Sequence, residues 1–349
     1  MSIKRTVIEL GLAVADRTRA ERWARFARGC GVILTFHHVR PAAEAGFAPN
    51  RLLEITPAFL ETVLDTLDAL GFEIVPLDAV PERVAQAHGG RDARPFAVLT
   101  FDDGYRDNRD HAAPILARRG APWTLFVTTD FAEGRGRFWW REIEAAVAAS
   151  TRVRALGLDL PAETDAQKIQ AFEAIYWRLR AGSEADLRRE TARLCESAGI
   201  DPAALSRDAC LDWDELAALS RATPELTLGA HTLTHPMLAK WDEATARREI
   251  VESRAILAER LGREVRHLAY PVGDPGSAGA REFALAREAG FATAVTTRPG
   301  HLWPDHAQHL HALPRISVNG LHQSAGALRA LLSGLPLLAW NRGRRLAVA

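Results

Sequence analysis

The feature that most narrows the fold is an alternation. Short β-branched and aromatic runs recur along the 349 residues, each followed by a polar or glycine-containing turn and then a stretch of helical periodicity. That is the pattern of parallel strands joined by helices. The runs are VILTF (Val32 to Phe36), FEIVPL near Ile74, FAVLTF (Phe96 to Phe101), WTLFVT (Trp123 to Thr128), LTLGA (Leu226 to Ala230), RHLAY (Arg266 to Tyr270), ATAVT (Ala292 to Thr296) and LPRISV (Leu313 to Val318). Eight such runs suit a closed α/β barrel, and single barrels of this class commonly exceed about 250 residues.

Helical segments fill the gaps. Thr56 before Pro57 makes an N-cap and first helical position for a helix to Leu70, with Gly71 as its stop, and the helix Asp242 to Leu261 ends the same way at Gly262. One gap is too long for a loop: about ninety residues between the fourth run and LTLGA are rich in Ala, Glu, Arg and Leu, with helical spacing and no clear strand. They read as a helical insertion, about 132–222, on one barrel loop. The expected organisation is an N-terminal helical extension (1–30), the barrel with its insertion (31–320) and a C-terminal helical tail (321–349).

Composition excludes several alternatives. Lys plus Arg and Asp plus Glu each number 44, giving no formal net charge, so a partner held by charge alone, whether nucleic acid or an anionic membrane, is not expected. Three cysteines, Cys30, Cys195 and Cys210, show no CxxC spacing; neither a disulfide framework nor a Cys-rich zinc site follows, and a reducing compartment is the simpler reading. The start has charges every few residues and no apolar core of a signal peptide, so a cytoplasmic location is expected. ALLSGLPLLAW near the other end is too short to span a membrane and reads as a packed terminal helix. The oligomeric state is left open.

The chemistry gathers at strand ends. FAVLTF runs into Asp102-Asp103-Gly104, and LTLGA runs into His231-Thr232-Leu233-Thr234-His235. Barrel enzymes build their sites at the C-terminal ends of strands. Four residues apart, two imidazoles would share one side of a helical turn. Two His and one Asp form a ligand set for zinc, iron or cobalt that leaves positions open for water and substrate. The adjacent carboxylates can then divide roles, one on the metal and the other accepting a proton from water. An iron oxygenase triad shares this ligand set, but the second Asp is better explained by hydrolysis. Thr232 stands where an HExxH protease has its Glu.

TFDDGYRDN (Thr100 to Asn108) and GAHTLTHPML (Gly229 to Leu238) resemble the first two motifs of the polysaccharide deacetylases, the NodB-homology or carbohydrate esterase family four, and AREAGFATAVTT (Ala286 to Thr297) resembles a later segment of that family. The resemblance runs from about Val32 to Val318. It implies a distorted (β/α) barrel of about 7–8 strands that removes acetyl groups from sugars with a divalent metal, Zn2+ first, with Co2+, Ni2+ or Fe2+ as alternatives. Carried over, Asp102 is the base, Asp103, His231 and His235 hold the metal, and the Val272 N–H helps with the oxyanion.

The third motif departs from the family, with Ala269 where an arginine usually orients the base. Arg315, in the last run, could supply that charge. Thr35-Phe36-His37-His38-Val39 resembles the acid-histidine context of a circularly permuted subset that includes poly-N-acetylglucosamine deacetylases; His37 is the expected acid and His38 the second choice. His309 and His311 precede the last strand. Tyr105, Asn108, Trp139 and Trp140 are candidate sugar contacts. The expected function is N-deacetylation of N-acetylglucosamine units in an oligosaccharide, polysaccharide or glycolipid precursor. Other amide or ester hydrolysis on the same barrel, as of acetylxylan or a cyclic amide, and a degenerate barrel that binds carbohydrate without cleaving it, are the alternatives.

Overall fold

The structure is a computed structural model that describes residues 3–42, 46–88, 94–346 and 348. Residues 1 and 2 of the expected N-terminal extension, and 347 and 349 of the expected tail, lie outside the described residues. Its strands in chain order are β1 Gly31–Phe36, β2 His38–Val39, β3 Glu54–Ile55, β4 Glu73–Ile74, β5 Phe96–Phe101, β6 Trp123–Val127, β7 Arg152–Ala155, β8 Leu158–Pro161, β9 Leu226–Ala230, β10 His267–Ala269, β11 Thr293–Pro299 and β12 Leu313–Ser317. All eight sequence runs therefore contain a strand, and all eight strands join one sheet.

That sheet is a distorted (β/α) barrel of parallel strands. Its order is β1-β12-β11-β10-β9-β6-β5, and β5 pairs back to β1 along its whole length, from Gly31↔Phe96 to Phe36↔Phe101. The eighth strand does not belong to the ring. β4 pairs only with Phe96 and Ala97, on the edge of β5 that β6 occupies from Leu99 onward, so it wedges in at the base.

Side chains alternate across the barrel wall, as a pleated strand requires. Val32, Leu34 and Phe36 of β1 and Ala97, Leu99 and Phe101 of β5 pack outward against the helices. Ile33, Phe96, Val98, Phe126 and Leu313 fill the interior. Continuing the same alternation past the strand ends aims His37, Asp102 and His231 into the barrel mouth, and puts Arg315 on the inward face with Leu313. Gly229 sits in this interior because no larger residue fits: a Cβ there would lie 2.5 Å from the Phe126 ring.

Thr56 caps the helix Pro57–Ala69 by accepting from Phe59 N–H, and Asp242 caps Glu243–Leu261 in the same manner. The insertion carries its own core, in which Phe138, Trp139, Trp140, Ile143, Phe172 and Ile175 are buried together. It is not wholly helical, contrary to expectation: β7 and β8 form an antiparallel hairpin. Its two-residue turn, Leu156-Gly157, has φ of 55° and 75°, as a type I′ turn needs. Leucine at the first turn position hides the Asn-Gly signature by which such hairpins are usually read.

The helix Ile3–Arg17 is followed by Arg19 at φ 50°, which turns the chain into the short helix Ala20–Trp23. Leu12, Ala15, Ala20, Ala24 and Ala27 pack with Ala330 of the helix Ala325–Leu332. The ALLSGLPLLAW segment is thus packed, as two short helices broken at Gly334, where φ is 77°. No described helix is long and apolar enough to cross a membrane.

Candidate active site

The parallel register sets His37 beside Asp102, because Phe36 and Phe101 are paired and the Asp102 N–H donates to the Phe36 carbonyl at 3.0 Å. The His37 Nε2 lies 4.0 Å from Asp102 Oδ2. Asn108 fixes this turn by donating through Nδ2 to the His37 carbonyl at 2.7 Å.

Asp102 is buried, and Arg315 grips it from the barrel interior with two guanidinium bonds of 2.7 Å, one to each carboxylate oxygen. Arg315 is itself fully buried, and it also donates to the Thr296 carbonyl and the Thr100 hydroxyl. Burial opposes ionisation of Asp102, but the Arg315 charge and hydrogen bonds, with the nearby histidines, outweigh it and hold the carboxyl below the ordinary aspartate range. His37 is pushed the other way: burial lowers its pKa, against the pull of Asp102 and Asp103.

Asp103 departs from the strand geometry. Its φ is 73° and that of Gly104 is 71°, so the chain turns sharply and the second carboxylate faces a different direction from the first. The end of the insertion clamps this turn: the Cys210 thiol donates to the Asp103 carbonyl, and Leu211 N–H to that of Gly104. Burial keeps that thiol protonated, as a donor must be.

Asp103 Oδ1 stands 3.5 Å from His231 Nε2 and 3.4 Å from His235 Nε2. One ligand atom from each of the three buried residues lies within 4.8 Å of the other two. The set fits a divalent metal on several grounds. Asp103 Oδ1 is buried without a hydrogen-bond partner, which is costly unless something positive lies there. His231 Nδ1 is bound to the Ala269 carbonyl at 2.7 Å, so that nitrogen carries a proton and, in the neutral ring, it is Nε2 that faces Asp103 with its lone pair. For His235, burial lowers the pKa to about 3, which keeps the ring neutral and able to ligate. For His231, burial alone would lower the pKa, but Asp103 and Asp102 prevail and raise it.

The two histidines do not lie on a helical turn, as their spacing suggested. Residues 231–236 form a bent loop in which Thr232 (φ 66°) and His235 (φ 58°) are left-handed. The loop is held by Glu249, a buried residue of the helix Glu243–Leu261. Its carboxylate accepts from Leu233 N–H, Thr234 N–H and the Thr234 hydroxyl at 2.9–3.0 Å. The sequence reading passed over Glu249, although a glutamate within the buried stripe Ala246, Ile250, Ser253 and Leu257 signals a polar group with a task.

His38 is turned away from this cluster. Its Nδ1 meets Asp107 Oδ2 at 2.6 Å and its ring stacks on Tyr105, with centroids 3.6 Å apart. The expected sugar contacts are all buried. Tyr105 is buried between His38 and Phe138, and Asn108 is buried beneath His37. Trp139 packs on Tyr176, and Trp140 lies 4.9 Å from the His235 ring. All four build the wall of the site, and Tyr105 Oη, Asn108 Oδ1 and Trp140 Nε1 have no hydrogen-bond partner among the described residues. Val272, in contrast, has φ 61°, and its N–H takes no acceptor among the described residues. Its carbonyl accepts from the Thr297 hydroxyl at 2.6 Å.

The sequence model described as polysaccharide deacetylase matches residues 89–195 and 196–294. The Streptococcus pyogenes deacetylase PplD, solved with acetate, is similar at 17% identity, covering 83% of this chain and 92% of that one with a TM-score of 0.53. IcaB from Ammonifex degensii is similar at 18% identity, covering 87% and 97% with a TM-score of 0.53. A polysaccharide deacetylase from Bacillus cereus shares 13% identity over 86% of this chain and 68% of its own, with a TM-score of 0.54. At these identities the likeness is one of fold. No curated protein matches the sequence.

Glu249 gives a test of how the histidine loop is held. Glu249→Gln replaces one carboxylate oxygen by an amide donor facing donors, and should weaken divalent-metal affinity by about 10–100-fold. Titration of the apoprotein with Zn2+ measures this; unchanged affinity would show that the loop holds its shape without the carboxylate.

Proposed function

We propose, from the premise that this chain belongs to the polysaccharide deacetylase family, a metal-dependent hydrolase that removes N-acetyl groups from N-acetylglucosamine units of a glycan or glycolipid precursor. That it is a carbohydrate deacetylase follows from the family; the metal and the sugar are the proposal. The observation that carries it is the pair of neighbouring carboxylates with opposite environments. Asp102 is neutralised by a buried arginine, while Asp103 has an oxygen that no protein donor satisfies beside the Nε2 atoms of His231 and His235.

Bound by Asp103, His231 and His235, a divalent metal would supply a Lewis acid for the acetyl carbonyl and would make water easier to deprotonate. In this reading Asp102 accepts the proton of the attacking water through its Oδ atoms. Arg315 keeps that carboxylate ionised and fixes its plane, since a forked guanidinium holds both oxygens at once. The unpaired Val272 N–H donates to the oxygen of the acetyl group as negative charge builds there. His37, beside Asp102 at the mouth, delivers a proton to the amine that leaves, and Asn108 holds its backbone in place.

The reading is tested by measuring bound metal and acetate released from chitooligosaccharides, with Asp102→Asn as the control expected to lose about 10²–10⁴-fold in turnover. Metal bound with no acetate from any acetylated sugar would overturn it.

The Arg315 ion pair sets the low-pH edge of activity. With Arg315 in place, Asp102 is ionised at pH values below the ordinary aspartate pKa; with Arg315→Ala, burial is left unopposed by that charge and the pKa rises. The acidic limb of the kcat/KM profile should therefore move to higher pH, with Arg315→Lys intermediate. An unmoved limb would separate Arg315 from the base.

Replacing His37 by Ala should lower turnover by about 10²–10⁴-fold while leaving metal content unchanged. Loss of metal instead would contradict its assignment as the acid.

A further inference from the structure

The zero net charge of the whole chain conceals a local imbalance. Residues 1–30 hold seven basic and three acidic side chains, and RGRR at 342–345 adds three more basic ones. In the structure five of these basic side chains converge. Arg17, Arg19, Arg22, Arg25 and Arg28, with Arg329, line a groove of about 970 Å3 whose acidic members are Asp16 and Glu21. Asp16 is already paired with Arg329, whereas Arg17, Arg19, Arg22 and Arg25 have no ion-pair partner among the described residues.

Large apolar side chains stand exposed beside these cations. Trp23 and Phe26 are 54% and 58% exposed, with ring centroids 6.5 Å apart, and they alternate in sequence with Arg22 and Arg25. Leu10 and Val14 of the helix Ile3–Arg17 are 64% and 52% exposed. Spaced by four, and with Arg17 three further on, they share the helix face opposite the buried Leu12 and Ala15. Exposed aromatic and aliphatic groups interleaved with arginine form the composition of an interfacial membrane contact, the apolar groups entering the acyl boundary while the cations meet anionic headgroups.

The position of this surface is fixed by the barrel. Gly71 and Pro95 also line the groove. Pro95 immediately precedes β5, and Asp102 immediately follows it, so the groove lies at the opposite end of the strands from the candidate active site. A six-residue strand separates the two by roughly 20 Å.

We propose that this basal surface docks the enzyme on an anionic lipid bilayer, with the active-site mouth facing away from the membrane. A second copy of the chain is a poorer occupant, because a two-fold contact through this patch would set arginines against arginines. A soluble polyanion would use the arginines but leave Trp23, Phe26, Leu10 and Val14 without a function. The inference does not depend on the reaction assigned to the mouth.

Co-sedimentation of the full chain with phosphatidylcholine vesicles, with and without phosphatidylglycerol, tests it. Binding is expected only with phosphatidylglycerol at about 0.1 M salt and should fall steeply towards about 1 M, where the screening length is a few ångströms. Arg22→Glu with Arg25→Glu should lower the partition coefficient on the order of 25-fold or more, and Trp23→Ser with Phe26→Ser should also abolish most of it. Both pairs are surface changes that should leave hydrolysis of a soluble chitooligosaccharide unchanged; the salt dependence of the unaltered protein serves as a readout needing no variant. The proposal is overturned by no binding to phosphatidylglycerol vesicles, by equal binding to neutral ones, or by binding that both variants retain. Self-association or heparin binding that the variants abolish, without any vesicle binding, would assign the surface to those partners instead.

Discussion

A carboxylate at a barrel mouth can serve as a base only if it stays ionised while cut off from water, and Asp102 meets that condition through Arg315. Two bonds of 2.7 Å from a fully buried guanidinium oppose a desolvation penalty of several kcal/mol. The arrangement reaches beyond the pair. Arg315 also ties β12 to the Thr296 carbonyl of β11 and the Thr100 hydroxyl of β5, so the charge that tunes the site is part of the packing that closes the barrel. The motif-three position that lacks an arginine is used otherwise, since the Ala269 carbonyl orients the His231 ring. The cation reaches Asp102 from another strand, and the vacated position supports His231.

Much of this was legible in the sequence because pleated strands obey a period of two. Once the runs VILTF, FAVLTF and LTLGA are read as strands, the direction of His37, Asp102 and His231 follows from counting, and the eight runs all appear in the sheet. Helix ends at Thr56 and Asp242 were equally readable, because capping is a local interaction of one side chain with one N–H.

What stayed hidden depends on contacts between distant residues or on unusual backbone angles. The spacing of His231 and His235 is helical in number only; left-handed φ values at Thr232 and His235 bring their rings together by another path. The role of Glu249 requires knowing that its helix packs behind the histidine loop. Tyr105, Asn108, Trp139 and Trp140 have the chemistry of sugar contacts, but residue type does not say whether a side chain is buried, and here all four are, with the three rings packed on others. The hairpin Arg152–Pro161 was lost because Leu156 occupies a turn position where Asn would announce itself.

Of the seven non-glycine residues with positive φ among those described, four surround the mouth: Asp103, Thr232, His235 and Val272. Thr232 and Val272 are β-branched, the type least suited to that conformation, and such strain costs of order 1–3 kcal/mol at each position. It is sustained by contacts of the kind seen at Glu249, Cys210 and Thr297, all made by protein groups. The cradle is therefore held by protein contacts. On the function proposed above, a divalent metal would enter a socket already shaped by the fold, and its arrival would ask little rearrangement of the chain.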